Sequence, residues 1–75
     1  MTTLDRVPIG DSVRIERIDG MDEVSVRLLE MGMTPTTSVT MVGSAPFGDP
    51  LEVELRGYRL SLRRSEAQRV IVSSH

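Results

Sequence analysis

Two short segments in the second half of the chain alternate apolar and polar residues around a two-residue break, and this pattern constrains the fold most. Residues 51–55 read LEVEL and residues 58–62 read YRLSL, with Arg56-Gly57 between them. A period of two is typical of a strand that buries one face. A two-residue loop pairs Leu55 with Tyr58 and keeps the apolar residues together, whereas a three-residue loop would mix the faces. The sequence therefore predicts a β-hairpin in the first register.

The same alternation predicts strands elsewhere in the chain. Residues 12–18 and 38–43 alternate with period two, and an apolar run at 70–72 predicts a short strand near the end. With the hairpin, these segments make five short strands. A closed sheet protects strand edges that would otherwise be free to pair, so we expect a small, mainly β barrel.

One helix is predicted between Met21 and Met31. Gly32 suits the left-handed position after the helix, and Pro35 prevents its continuation. A second, short helical turn is predicted at 65–68, where Ser65 and Gln68 have the spacing of a capping box. Four apolar residues of the longer helix are expected to face the core at helical spacing: Met21, Val24, Leu28 and Met31.

Size and charge restrict the classes of function. A chain of 75 residues is expected to form one domain over residues 1–75. Its net charge of −2 argues against a nucleic-acid partner, and its 3% aromatic content provides no platform for stacking bases. No segment approaches the roughly 18 apolar residues of a membrane span, and the first residues lack an apolar signal core. We therefore expect a cytoplasmic chain that does not insert into a membrane.

The residues that usually carry catalysis are scarce. His75, the last residue, is the only imidazole, and the chain has no Cys and no Lys. Its serines therefore lack a neighbouring base, and no glycine-rich phosphate loop precedes a helix, so the chain is predicted not to be an enzyme. Tight sites for iron or zinc need imidazole or thiolate ligands, and coordination by Asp49 or Glu52 alone would be weak. Neither a cofactor nor a metal site is predicted.

Some apolar side chains exceed what the core of a small barrel requires. On the helix, Val26 and Leu29 lie well away from the apolar stripe that faces the core. Coverage of this second side by residues 4–9 is the simpler expectation, and without it the pair forms a surface that binds a partner. The full surplus set is Val26, Leu29, Met33 and Phe47.

Charge is unevenly distributed along the chain. Residues 56–69 contain five Arg and one Glu, a net charge of +4, whereas residues 1–54 contain four Arg and ten acids, a net charge of −6. The basic segment could attract an acidic protein surface or phosphate, or Arg59 and Arg63 could simply face Glu54 and Glu52 across the sheet. With the helix pair, the candidate partner-binding residues are Val26, Leu29, Arg63 and Arg64.

Three segments together resemble the FeoA family of ferrous iron transport accessory proteins. They read TLDRVPIGDSVRIERIDG, RLLEMGMTP and SAPFGDPLEVELRGYRLSLRRSEAQRVIV, and the match spans about residues 4–72. The resemblance implies an SH3-like five-stranded barrel with one α-helix and a short helical turn. It also implies a cytosolic protein that acts by protein–protein interaction with FeoB, a membrane transporter with a cytosolic GTP-binding domain. Because the family supplies no fixed metal ligands, ferrous iron association would be weak or indirect.

The resemblance leaves a second interpretation open and contains one departure. The domain is related to the C-terminal domain of DtxR-type iron-dependent repressors, so a metal-responsive or peptide-binding SH3-like module is the alternative. Where the family commonly has Pro-Gly after the helix, this chain has Pro35-Thr36. We expect that turn to take a form that needs no glycine. The sequence makes no prediction of the oligomeric state.

Overall fold

The fold is a single antiparallel sheet with two helices and a 3-10 helix packed against it. The structure is a computed structural model that describes residues 1–74, so His75 lies outside the described residues. The sheet has six strands in the order β1-β6-β2-β3-β4-β5. In chain order the elements are β1 (Thr2–Thr3), the 3-10 helix (Leu4–Arg6), β2 (Ser12–Ile18), α1 (Glu23–Glu30), β3 (Ser38–Ser44), β4 (Leu51–Leu55), β5 (Tyr58–Leu62), α2 (Arg64–Ala67) and β6 (Val70–Ser74).

The predicted mainly β class and all five predicted strands are confirmed, but the strand count is corrected to six. The additional strand, β1, has two residues and pairs with β6 through Thr2↔Val72 and Thr3↔Ile71. Two residues are too few to show an alternation, so the sequence carries no local signal for this strand. It extends the sheet beyond β6 at one edge.

The hairpin of β4 and β5 has the predicted register. Leu55 pairs with Tyr58 and Glu54 with Arg59. The turn between them places Arg56 at φ 51° and Gly57 at φ 83°. Positive φ at both central residues is the requirement of a type I′ turn, whose twist matches that of the flanking strands. The hairpin buries Leu51, Val53, Leu55 and Leu62, whereas Tyr58 is 43% exposed.

The core lies on the inner side of the sheet and is completed by residues from all three helical elements. Leu28 of α1, Leu4 of the 3-10 helix and Ala67 of α2 are fully buried. Met33 is also fully buried, so it does not belong to the exposed surplus set. The strands contribute the buried side chains of Val13, Ile15, Val39, Met41, Leu51, Val53, Leu55, Leu62, Val70, Ile71 and Val72.

Helix α1 is shorter than predicted because Asp22 caps it. The Asp22 carboxylate accepts a hydrogen bond from the Ser25 backbone N–H at 3.2 Å, so the helix begins at Glu23. Met21 precedes the cap and is fully exposed, which makes its predicted place in the core wrong. A residue before an N-cap does not follow the helical period, and extending the period to it gave this error.

The end of α1 follows the prediction. Gly32 has φ 101°, and the Met33 backbone N–H donates to the Leu28 carbonyl at 3.1 Å. The Gly32 N–H donates to the Leu29 carbonyl at 3.0 Å, which completes a Schellman motif. This motif directs the chain back over the barrel, and Met33 enters the core.

The turn after α1 differs from its prediction. Thr36 has φ 73°, the left-handed conformation that glycine adopts most readily. The expectation of a turn that needs no glycine is therefore wrong, because Thr36 itself adopts the conformation that favours glycine. Its N–H donates to the Ile15 carbonyl at 2.8 Å, and this bond to β2 fixes the turn.

Candidate partner-binding surface

The outer side of α1 carries an exposed apolar pair. Val26 is 53% exposed and Leu29 is 42% exposed, and their spacing of three residues places them side by side on the helix. Of the segment expected to cover them, Leu4 and Val7 are buried in the core and Ile9 is itself 64% exposed. The expected coverage by residues 4–9 is therefore wrong, and the pair faces solvent.

Two carboxylates border this pair. At about 100° per residue, Glu30 lies about 40° and Glu23 about 60° around the helix from Val26. Within residues 1–74 neither carboxylate belongs to an ion pair. We call the group Val26, Leu29, Glu23 and Glu30 the α1 surface. It combines an apolar pair with two carboxylates on its Val26 side.

Ion pairs on its inner flank hold α1 against the rest of the fold. Arg27 pairs with Glu66 of α2, and Asp22 accepts from Arg69 at 2.6 Å. The Arg69 hydrogen bond, followed by that from the Ser25 N–H, holds the pKa of the Asp22 carboxyl below its usual range. The α1 surface is therefore presented on a helix that is fixed at its capped end and along its side.

Arg63 is exposed and stands at the N-cap of α2. Its backbone N–H donates to Glu66 Oε1 at 2.9 Å. The predicted capping box on Ser65 and Gln68 is corrected: the cap lies two residues earlier, where the Glu66 carboxylate accepts from the Arg63 N–H and the Glu66 N–H donates to the Arg63 backbone carbonyl at 2.9 Å. The correction follows from the length of the element, because a four-residue helix gives too little periodicity to locate its start.

Arg64 is engaged inside the protein. Its Nε donates to the Gly48 carbonyl at 3.0 Å and its Nη1 to the Asp5 carbonyl at 3.1 Å. Its backbone N–H donates to Asp49 Oδ1 at 3.0 Å. The side chain thus joins α2 to the loop between β3 and β4 and to the 3-10 helix. The predicted binding role of Arg64 stays a prediction, and the geometry gives the residue a structural task.

The other basic residues of the segment 56–69 are mostly paired. Arg56 donates to the Thr34 and Thr37 hydroxyls at 3.0 and 3.1 Å, and Arg59 lies 3.6 Å from Glu54. Arg64 bonds carbonyl oxygens and Arg69 bonds Asp22. Within the described part of the chain, Arg63 is therefore the one Arg of this segment whose guanidinium has no ion pair and no hydrogen-bond partner. The basic segment therefore contributes much less free positive charge than its sequence suggests.

The described residues offer no ready metal centre. Over residues 1–74 no three His, Cys, Asp or Glu side chains come together. Asp49, one of the candidate oxygen ligands, has one carboxylate oxygen occupied by the Arg64 backbone N–H. Among the same residues neither helix reaches the length or apolarity that a bilayer span requires.

Phe47 is a surface residue that sequence reasoning named only as surplus. Its side chain is fully exposed at the tip of the loop 45–50, between β3 and β4. The sequence indicated Phe47 only because the chain has more apolar residues than its core requires. The sequence did not show which residues hold the Phe47 loop.

Comparison with known proteins agrees with this architecture. The sequence model of the FeoA domain matches residues 2–74. An Fe(2+) transport protein A/Fe(2+) transporter FeoB fusion protein of Porphyromonas gingivalis is 35% identical over 69 residues, which are 92% of this chain and 8% of that relative.

Solved structures show the same fold. A FeoA-like protein from Clostridium acetobutylicum is 37% identical with a TM-score of 0.91, over 97% of this chain and 85% of the other. FeoA of Stenotrophomonas maltophilia, complexed with zinc and described as a procaryotic SH3 domain protein, is 35% identical with a TM-score of 0.85, over 97% and 91%. A manganese-dependent transcriptional repressor, 20% identical with a TM-score of 0.88, shares the fold alone.

The resemblance seen in the sequence and the predicted SH3-like class are both confirmed. The family match covers nearly the whole described chain, and the structural matches extend over almost all of it. The chain belongs to the FeoA domain family, a family of SH3-like proteins involved in ferrous iron transport.

Proposed function

We propose that this chain is a non-enzymatic, cytosolic regulatory protein that binds the cytosolic side of an FeoB-like ferrous iron transporter. The main support is the Porphyromonas gingivalis relative, which is named as a fusion of Fe(2+) transport protein A and the transporter FeoB. Joining two modules in one chain raises their effective concentration to about the millimolar range, which favours direct contact between them. We infer the same kind of direct contact for this chain.

The α1 surface supports binding to a protein partner. A protein interface commonly has an apolar centre and a polar rim, and Val26 and Leu29 with their bordering carboxylates have this arrangement. The surface is fixed by the Asp22 cap and the Asp22–Arg69 ion pair, so little conformational freedom would be lost on binding. The proposed binding residues also include Arg63, at the polar rim of the interface, and Arg64, which would act by holding the loop between β3 and β4 in place.

The test is capture of the transporter's purified cytosolic domain by this chain, with and without guanine nucleotide. The Leu29→Asp variant should lose capture, because it places a charge in the centre of the α1 surface. The matched control is Ile9→Asp, which puts the same acid at an exposed apolar position outside that surface and should retain capture. Far-UV circular dichroism should show both variants folded.

Two results would contradict the proposal. Failure of the wild-type chain to capture the domain under either nucleotide condition would refute the function itself. Equal loss of capture by the Ile9→Asp and Leu29→Asp variants, with both folded, would refute the assignment of the α1 surface.

The alternative is a metal-responsive SH3-like module. The Stenotrophomonas maltophilia structure contains zinc, so metal binding is a distinct outcome to measure. Titration with ferrous and zinc ions, followed by NMR shifts around Asp49 and Glu52, separates the two functions. Micromolar binding by a single copy of the chain would favour metal sensing over partner binding.

A further inference from the structure

Phe47 exposes an entire aromatic ring at a position where the fold makes no use of it. The side chain is 100% exposed, more than Val26 or Leu29 on the α1 surface. Aromatic residues, Phe among them, are enriched at protein interfaces relative to the rest of the surface. An exposed Phe indicates a binding site only if the backbone that carries it is held in a fixed conformation. The hydrogen bonds of its loop therefore test whether Phe47 is such a residue.

The loop holds itself in one shape. The Gly48 N–H donates to the Ala45 carbonyl at 2.8 Å, which closes a turn with Phe47 at its third position. The Ala45 N–H donates to the Pro50 carbonyl at 2.9 Å and closes the base of the loop. The aromatic ring therefore stands on the tip of a loop bonded across both its turn and its base.

Arg64 then ties this loop to the body of the protein. Its side chain bonds the Gly48 carbonyl at 3.0 Å and its backbone N–H bonds Asp49 Oδ1 at 3.0 Å. The same guanidinium reaches the Asp5 carbonyl at 3.1 Å. A loop held at so many points presents Phe47 in a preorganised position, which reduces the ordering cost of binding.

The charge beside the loop is positive and available. Arg63 precedes Arg64 directly, and it is exposed without an ion pair within residues 1–74. Asp49, the acid of the loop, is occupied by the Arg64 backbone N–H. The segment bonded to the Phe47 loop therefore carries two arginines, Arg63 and Arg64, against the one carboxylate of Asp49, and this net positive charge is complementary to an apolar pocket bordered by a carboxylate.

Helix α2 connects this loop with the α1 surface. Glu66 of α2 pairs with Arg27 of α1, while Arg64 at the start of α2 binds the loop. We propose that Phe47 is an aromatic anchor that inserts into an apolar, carboxylate-bordered pocket of the same partner that contacts the α1 surface, with Arg63 facing that carboxylate. This inference rests on the proposed function, since the partner is the transporter's cytosolic domain.

A lipid surface is a poorer match than a protein pocket. Stable membrane association requires two signals, such as an acyl chain with a polybasic patch, and a single apolar group gives marginal binding. The Phe47 loop offers one exposed ring and no polybasic cluster, and the chain's net charge of −2 opposes approach to anionic lipid. A pocket of complementary shape needs only one well-placed aromatic residue.

The experiment measures the dissociation constant between the full chain and the transporter's purified cytosolic domain by calorimetry. Phe47→Ala should raise the dissociation constant at least about tenfold. Phe47→Trp should stay within about threefold of wild type, because Trp fills similar pockets. Ile9→Ala, at another exposed apolar position, is the control and should leave affinity unchanged. The thermal midpoint of Phe47→Ala should equal that of wild type, since the exposed ring supports no packing.

The outcomes separate the two proposals. Binding by wild type with equal affinity for Phe47→Ala would overturn the anchor and leave the proposed function intact. Absence of wild-type binding would refute the proposed function, and the anchor with it. Phe47-dependent flotation of the chain with phosphatidylcholine–phosphatidylserine vesicles would overturn the protein pocket and assign the ring to a lipid surface.

Discussion

Replacing Thr36 by glycine should make this protein more stable. Thr36 has φ 73°, although its side chain is β-branched and exposed. The left-handed conformation costs a residue with a Cβ about 1–2 kcal/mol, and glycine escapes this cost. Against that gain, glycine is more flexible in the unfolded chain, which costs about 0.4–1 kcal/mol. The net expectation is stabilisation by about 0.5–1 kcal/mol.

The backbone hydrogen bond of the turn survives the change, so the balance depends on conformation alone. The Thr36 N–H donates to the Ile15 carbonyl at 2.8 Å, and glycine retains this donor. For a domain of this size, about 1 kcal/mol corresponds to about 4–8 °C in the thermal midpoint. Thr36→Gly should therefore raise the midpoint by about 2–8 °C, measured by circular dichroism and confirmed by urea unfolding.

Two control variants isolate the cause. Thr36→Ala keeps a Cβ at the same φ and should gain much less. Arg56→Gly also relieves a positive φ, but it removes the hydrogen bonds to the Thr34 and Thr37 hydroxyls and should not stabilise. A lower midpoint for Thr36→Gly than for wild type, or an equal gain for Thr36→Ala, would show that the left-handed conformation is not the source of strain.

Three further perturbations test the packing around the candidate surfaces. Because its pKa is lowered in the folded state by Arg69, Asp22 contributes stability above its unfolded pKa that is lost as pH falls through the lower folded value. Urea midpoints of Asp22→Asn should thus lie below wild type at pH 7 and converge with it as the pH falls below the lowered folded pKa of Asp22; a gap that stays constant with pH would contradict this. Arg64→Ala should cost about 1–3 kcal/mol in urea unfolding, because it leaves two carbonyl oxygens without a donor, and an unchanged midpoint would refute its structural role. Leu28→Ala should cost about 2–5 kcal/mol and Leu29→Ala less than about 1 kcal/mol, since the first is fully buried and the second is 42% exposed; similar losses would place Leu29 in the core.

The sequence was most informative where one local rule determined the outcome. The register of β4 and β5 follows from the parity of two alternating patterns and a two-residue turn, and Leu55 does pair with Tyr58. The end of α1 follows from a glycine in the position that only glycine favours, at Gly32. Each of these predictions depends on fewer than about ten residues of neighbouring sequence.

The sequence was least informative where a local pattern met a long-range constraint. Thr36 keeps a glycine-like conformation because its N–H is bonded to β2, a contact that no local rule contains. The error at Met21 was local instead. Met21 fits the helical spacing, but the helix begins only after the Asp22 cap, so the residue lies outside it and is exposed.

The sequence also could not show which of its charged side chains are free of ion pairs and hydrogen bonds. The segment 56–69 has a net charge of +4, yet its arginines mostly bind partners far away in the chain. Arg64 reaches the carbonyl of Asp5 across 59 positions, and Arg69 reaches Asp22 across 47. A count of charges along the sequence therefore overestimated the basic surface, and only the folded arrangement shows that Arg63 is the free cation of the segment within the described residues.

The same pairing explains how so small a protein can present two rigid surfaces. Helix α2 has four residues and could not persist alone, since isolated helices below about 12 residues are marginal in water. It is held by Glu66, which bonds the Arg63 N–H and pairs with Arg27 of α1, and by Arg64, which bonds the loop that carries Phe47. The α1 surface and the Phe47 loop therefore depend on one element. A change that loosens α2 should weaken both surfaces together, whereas a change at Leu29 or Phe47 should affect its own surface alone.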